Sequence, residues 1–221
     1  MGKVKVDGGT HDQMKKIMEV LHGPQETSKT IYLGQKILHF DVPEGLIEEI
    51  NTLYEKKFST LESFNKNLAG KISREHRVDK ELPESIKRYF EDRFNDYLMA
   101  VKVMRFAHPA SAWINEMVEH EYNPLHLHTG KTEIGISSVL CLKKPDDYGV
   151  EIARKDDPVY NTNGRLELVG NGGGMFGYNQ HKVDLEVGDL YVFPYDIKHG
   201  VYPFTGNGVR RTLSYNCDMK R

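Results

Sequence analysis

The spacing of apolar positions changes along the chain. Met14, Ile17, Met18 and Leu21 recur at i, i+3, i+4 and i+7, between a Thr10-x-x-Gln13 capping pair and a Gly23-Pro24 stop, which predicts a first helix. Thr30 to Phe40 reads as a short strand. Asp41-x-x-Glu44 opens a second helix with Leu46, Ile47, Ile50, Leu53 and Tyr54 on one face. A third begins near Pro83 with Ile86, Phe90, Phe94, Tyr97, Leu98 and Val101 as its stripe, and proline suits a first turn because its missing N–H is not needed there. Stripes of this width predict a helical layer lying on a sheet. Residues 58–79 are polar and irregular, a loop or a docking segment.

Beyond residue 105 the period shortens to that of strands. Runs of β-branched and aromatic residues fall at 103–106, 111–118, 124–128, 134–142, 149–153, 165–169, 174–178, 182–186, 189–194, 198–203 and 209–216, separated by Gly, Asn, Asp and Pro. About ten short strands in roughly 115 residues predict a mainly β fold with α, a double-sheet jelly roll or small barrel flanked by N-terminal helices. The expected organisation is one integrated domain, with residues 1–105 as a helical layer packed on a barrel core of residues 106–221. Gly170 to Gly174 follows a strand, opens no helix and lacks the Lys-Ser/Thr of a phosphate loop, so it reads as a turn.

Composition narrows the function classes. The 221 residues are 38% hydrophobic and 28% charged, ordinary values for a globular protein, and no apolar run reaches the length of a membrane span. The first residues, MGKVKVDGGTHD, show no secretory signal, and the two cysteines, Cys141 and Cys217, suit a reducing cytoplasm better than a disulfide scaffold. A net charge of −2 without a basic tail argues against nucleic acid as a partner. The 10 histidines are the unusual feature, because imidazoles gather where metals or protons are handled.

Three clusters carry candidate chemistry. In Pro124-Leu-His126-Leu-His128 the strand period sends both imidazoles to one face and both leucines to the other, which makes a ready pair of metal ligands. In the stretch from Gly188 to His199, a Gly-Asp turn feeds an apolar strand, Pro194 ends it, and a third imidazole follows at the mouth of the next strand. In Arg210-Arg-Thr212-Leu-Ser214-Tyr-Asn216 alternation places Arg210, Thr212, Ser214 and Asn216 on one face. That row is either solvent-exposed or the wall of a wet cavity, where Arg210 would grip a carboxylate through paired hydrogen bonds and Thr212 would add a hydroxyl.

The order Asn115, His126-x-His128, Gly188…Pro194…His199 and Arg210-x-Thr212 resembles the iron(II)- and 2-oxoglutarate-dependent dioxygenases. The similarity covers about residues 110–217 and is strongest to prolyl-4-hydroxylase-like members and to oxygenases of bacteria and marine bacteriophages; LAGKISREHRV is similar to their N-terminal regions. The resemblance implies a double-stranded β-helix (the cupin-like jelly roll), a facial triad holding iron(II), and 2-oxoglutarate anchored by an arginine on a late strand. Carried over, His126 and His199 become ligands, Arg210 with Thr212 the anchor, and Asn115 a cosubstrate contact. It further implies an enzyme that hydroxylates an unidentified substrate, such as peptidyl proline, another protein side chain or a small molecule, using O2 and releasing succinate and CO2. Its setting would be the cytoplasm, that of the host if the gene is viral.

The family's usual His-x-Asp or His-x-Glu is here His126-x-His128. Three arrangements fit: His128 binds the metal itself, His128 stands behind a water, or Glu133 supplies the carboxylate. Backbone direction favours a set of His126, His128 and His199 as the catalytic metal centre. The same residues with Glu133 also resemble a cupin-type metal enzyme that does not use 2-oxoglutarate, and a non-catalytic jelly-roll binding module would need no metal. Trp113, Met117, Tyr191 and Phe193 are candidates to line the cavity, and Tyr160 and Tyr178 to meet substrate from loops.

Overall fold

The computed structural model describes residues 34–64, 70–128, 134–150, 161–174 and 177–219. The expected first helix, residues 30–33 of the strand expected at 30–40, the 151–153 part of a further run, Glu133 and Tyr160 lie outside those residues. Ten strands are present among the described residues: β1 (Leu38–Asp41), β2 (Arg74–Arg77), β3 (His108–Met117), β4 (Asn123–His126), β5 (Gly135–Lys143), β6 (Leu166–Val169), β7 (Gln180–Val183), β8 (Asp189–Pro194), β9 (Lys198–Val201) and β10 (Arg210–Asp218). Two helices, α1 (Glu44–Lys56) and α2 (Glu84–Ala100), precede most of them.

The strands pair antiparallel into a six-stranded sheet, β1-β8-β5-β10-β3-β2, and a four-stranded sheet, β4-β9-β6-β7. This is the double-sheet jelly roll with flanking helices that the alternation predicts, and the double-stranded β-helix that the family resemblance implies. β10 lies at the centre of the larger sheet between β3 and β5, and it is buried along almost its whole length. Period-two alternation therefore has consequences on both of its faces. Leu213 and Tyr215 join Ala112, Ile114, Leu140 and Val192 on the outer face, where Ile47, Ile50 and Tyr54 of α1 and Phe90, Phe94 and Leu98 of α2 cover them. Phe90 and Phe94 meet the Tyr215 ring at 5.3 and 6.0 Å between centroids. On the inner face, Val139, Cys141 and Phe193 pack against Leu166, Leu168 and Val183 of the smaller sheet.

Several boundaries differ from the sequence expectation, for local reasons. Asp41 does not cap α1; it ends β1 opposite Asp189, and the helix starts from Pro43, whose fixed φ suits a helix entry without a side-chain cap. Residues 103–107 form no strand and link α2 to β3, leaving Met104 and Phe106 exposed. The described parts of 149–153 and 174–178 are likewise outside strands. The polar stretch 58–79 contains a short 3-10 turn, Phe58–Thr60, and β2, which closes one edge of the larger sheet. Gly188, at φ 100°, makes the turn into β8 in a conformation that glycine adopts without strain.

A buried charge network fixes α1 to the sheet. Arg211, 3% exposed, donates to Glu116 at 3.1 Å, Glu55 at 2.6 Å and Asn51 at 2.9 Å, with its guanidinium 3.9 Å above the Tyr54 ring. The Tyr54 hydroxyl donates to the same Glu116 carboxylate. Burial would raise the Glu116 pKa, but the Tyr54 hydrogen bond and the Arg211 charge outweigh it and hold the carboxyl below its ordinary range. Removing one partner of such a network strands a charge in a dry interior, which costs about 3–5 kcal/mol. Arg211→Ala is expected to lose about that much stability in urea unfolding at pH 7, and adding Glu116→Gln is expected to restore part of it. An unchanged midpoint would show that the network is only a surface pair.

Candidate active site

The three sequence-predicted imidazoles converge. His126 ends β4 directly opposite His199 of β9. His128 lies just past the strand, where its backbone N–H reaches the Tyr195 carbonyl at 3.3 Å. Ring nitrogens of His126, His128 and His199 lie within 4.8 Å of one another, and no carboxylate of the described residues belongs to this group. Gly200 allows the two strands to come this close, since a Cβ there would sit 2.8 Å from the Asn123 carbonyl oxygen and 2.9 Å from the Leu125 nitrogen.

Hydrogen bonds on the far side of each ring orient the cluster. His126 Nδ1 donates to the Pro124 carbonyl at 2.8 Å and His199 Nδ1 to the Ile197 carbonyl at 3.2 Å, so both rings present an Nε2 lone pair inward. His128 Nε2 stands 3.2 Å from His199 Nε2, while its Nδ1 faces the Asn216 amide nitrogen at 3.2 Å. That contact places the ring proton on Nε2. Rotation of the Asn216 amide would instead offer an oxygen to Nδ1–H, and the Ser137 hydroxyl, 2.8 Å from Asn216 Oδ1, can serve either orientation. Burial first, and then the neighbouring His126, push the pKa values of His128 and His199 down to about 4 and 3, so both rings are neutral near pH 7.

These rings face a cavity of about 250 Å³ between the two sheets. Asn123, His126, Leu166, His199 and Val201 line it from one side and Trp113, Asn115, Met117, Arg210, Thr212 and Ser214 from the other. Arg210 is 1% exposed, and its Nε and Nη2 find no hydrogen-bond partner among the described residues. Leaving such donors bare in a dry site is costly, which marks the guanidinium as awaiting an anion. The buried Tyr148 hydroxyl is raised to about 12 by burial, with the charge and hydrogen bonding of the neighbouring Arg210 acting against it.

Two of the aromatic candidates are elsewhere. Tyr191 stacks on His39 at 4.7 Å, and Phe193 packs edge-on against His199 at 4.9 Å without lining the cavity. Tyr178 is 87% exposed. Conversely, Glu75 of β2 lines the cavity and was not foreseen; it is 5% exposed, and burial raises its carboxyl to about 7. Asn216 and Ser137 were not foreseen as supports of His128.

Residues 111–216 match a protein family described as "Putative 2OG-Fe(II) oxygenase". Residues 111–216 thus carry a 2OG-Fe(II) oxygenase core. Among solved structures, a Pseudomonas putida prolyl-4-hydroxylase is similar at 14% identity and a TM-score of 0.57, covering 85% of this chain and 94% of that one. A 2OG-Fe(II) oxygenase family oxidoreductase from Burkholderia pseudomallei is similar at 15% identity and 0.56, covering 98% and 93%. HygX from Streptomyces hygroscopicus, with nickel and 2-oxoglutarate bound, is similar at 12% and 0.54, covering 83% of each chain. These likenesses support the double-stranded β-helix. No curated protein sequence matches the chain. As a 2OG-Fe(II) oxygenase, the protein works with iron(II) and 2-oxoglutarate. The donor set fits both: neutral imidazoles for a divalent ion, and a bare buried guanidinium for the cosubstrate carboxylate. No helix of the described residues is long and apolar enough to cross a membrane.

Two outcomes test the geometry of the oxygenase site. Asn216→Ala removes the group that orients His128 and is expected to weaken metal affinity about tenfold, measured by competition with a chelator, with the melting temperature checked in parallel. Equal affinity would remove Asn216 from the support shell. Glu75 releases its proton near pH 4.5 in the unfolded chain and near 7 in the fold. Stability is therefore full below pH 4.5, falls as pH rises to 7, and stays lowered above it, by about 3 kcal/mol. Unfolding curves of wild type and Glu75→Gln are expected to diverge across that window.

Proposed function

We propose that the cavity holds iron(II) on His126, His128 and His199, anchors 2-oxoglutarate through Arg210 with Thr212 and Asn115, and hydroxylates a substrate held beside them. The observation that carries the reading is Arg210, a fully buried guanidinium with bare Nε and Nη2, lining the same cavity as three converging imidazoles. Bound iron(II) with 2-oxoglutarate and O2 supplies the oxidising power, with succinate and CO2 as coproducts.

The chain's own residues do the rest. The His126 and His199 carbonyl partners fix which nitrogen points inward, so the ligand atoms need no reorganisation. Arg210 can meet a carboxylate with two parallel charge-assisted bonds, which sets its direction as well as its position. Thr212 lies opposite Asn115 in the β3–β10 register, so a hydroxyl and an amide flank the anchor one position along. Three neutral ligands leave the metal its full double charge, which a dianionic cosubstrate cancels; with a carboxylate ligand the same set would carry a surplus negative charge. Trp113 and Met117 keep the adjoining wall apolar and exclude water from the reacting centre. Buried free thiols at Cys141 and Cys217 suit a reducing compartment such as the cytoplasm.

Protein prepared without oxygen, loaded with iron(II) and 2-oxoglutarate and then exposed to air, is expected to form succinate. Arg210→Ala is expected to weaken 2-oxoglutarate binding on the order of tenfold to a hundredfold while sparing iron, and His199→Ala to abolish stoichiometric iron binding. Absence of succinate from the wild type, or unchanged cosubstrate affinity in Arg210→Ala, would overturn the proposal.

A further inference from the structure

Glu75 lines the same cavity and has no task in the chemistry above. Its Oε2 finds no partner among the described residues, and directly across the β2–β3 pair stands Asn115, whose Oδ1 is also unpartnered among them. Two bare acceptors thus sit side by side on one wall. Arg210, with its bare donors, is set apart from them: it lies on β10 opposite Met117, one inward position further along β3. The wall therefore carries two separate polar demands of opposite sign. A cosubstrate carboxylate at Arg210 answers only one.

We propose that Glu75 and the Oδ1 of Asn115 form a subsite for a protonated primary amine carried by the substrate, which leaves the Asn115 Nδ2 to the cosubstrate. The inference rests on the reading of the cavity as the oxygenase site. An alkylammonium brings three N–H donors, no acceptor and one positive charge, which answers two bare oxygens of which one belongs to a carboxyl. A neutral amide or alcohol would satisfy the hydrogen bonds and leave a buried carboxylate uncompensated; an acidic substrate would be repelled. Burial alone accounts for the raised pKa of Glu75, with no cation of the protein acting on it. Phe64, Ile72, Trp113 and Met117 complete an apolar lining suited to the alkyl stem, and the volume of about 250 Å³ limits the entering group to a side-chain-sized moiety.

The test uses the full chain at pH 8 with n-butylammonium chloride as probe, followed by calorimetry, with sodium butyrate, n-butanol and sodium chloride as controls. Butylammonium is expected to bind metal-free protein, the controls not to, and Glu75→Gln to weaken the probe at least tenfold while its melting temperature is no lower than that of the wild type and its affinity for 2-oxoglutarate in the zinc-loaded form stays unchanged. Equal probe affinity in Glu75→Gln, or n-butanol binding as tightly as butylammonium, would overturn the inference. If the probe binds and depends on Glu75 but the zinc-loaded wild type fails to take up 2-oxoglutarate, the amine subsite stands and the oxygenase reading of the cavity falls. Comparing Nα-acetyl-L-lysine methylamide with butylammonium as stimulants of succinate formation separates a peptide-borne amine from a free one, and stimulation by either supports the subsite.

Discussion

A charge taken out of water must be given a partner, and in this fold that requirement governs the central strand. β10 carries two consecutive arginines that alternation sends to opposite faces, both almost fully buried. On the helix side Arg211 is met by Glu116, Glu55 and Asn51 and lies over Tyr54. On the cavity side Arg210 keeps two bare nitrogens. The same residue type, one position apart, thus marks the difference between a group that completes the architecture and one that awaits a ligand.

The rest of the molecule keeps that contrast possible. Helices α1 and α2 cover the outer face so completely that β10 can be buried on both sides, and the smaller sheet closes the inner face only in part, where Leu166, Leu168 and Val183 pack on Val139, Cys141 and Phe193. The remaining inner positions border the cavity. The histidines come from the smaller sheet and its margin and the anion anchor from the larger one, so the site exists only when the two sheets face each other in register.

Much of this was legible from period two alone. Arg210-x-Thr212 shares a face because strand geometry leaves no other choice, His128 lies beyond the end of β4 and still meets His126, and the apolar stripes of α1 and α2 match the buried residues closely. What escaped notice has a common cause. Glu75 lies in Arg-Glu-His-Arg, a stretch whose charges look like an exposed loop, and only the pairing of β2 with β3 brings it inside. Asn216 was placed on the correct face, but its contact with His128 spans 88 positions of sequence and depends on a loop geometry no local pattern encodes. Asp41 looked like a cap because its spacing to Glu44 is right; pairing with β8 claimed it first.

Gly200 adds a feature of a different kind. The distance between the strands bearing His126 and His199 is set by the smallest possible substituent, because any carbon there would press on the opposing backbone. The bite of the imidazole cluster is therefore governed by clearance at a residue that offers it no donor atom. Chain variants that alter selectivity between ions of different radius need not touch a histidine; one methyl group next to it would widen the grip.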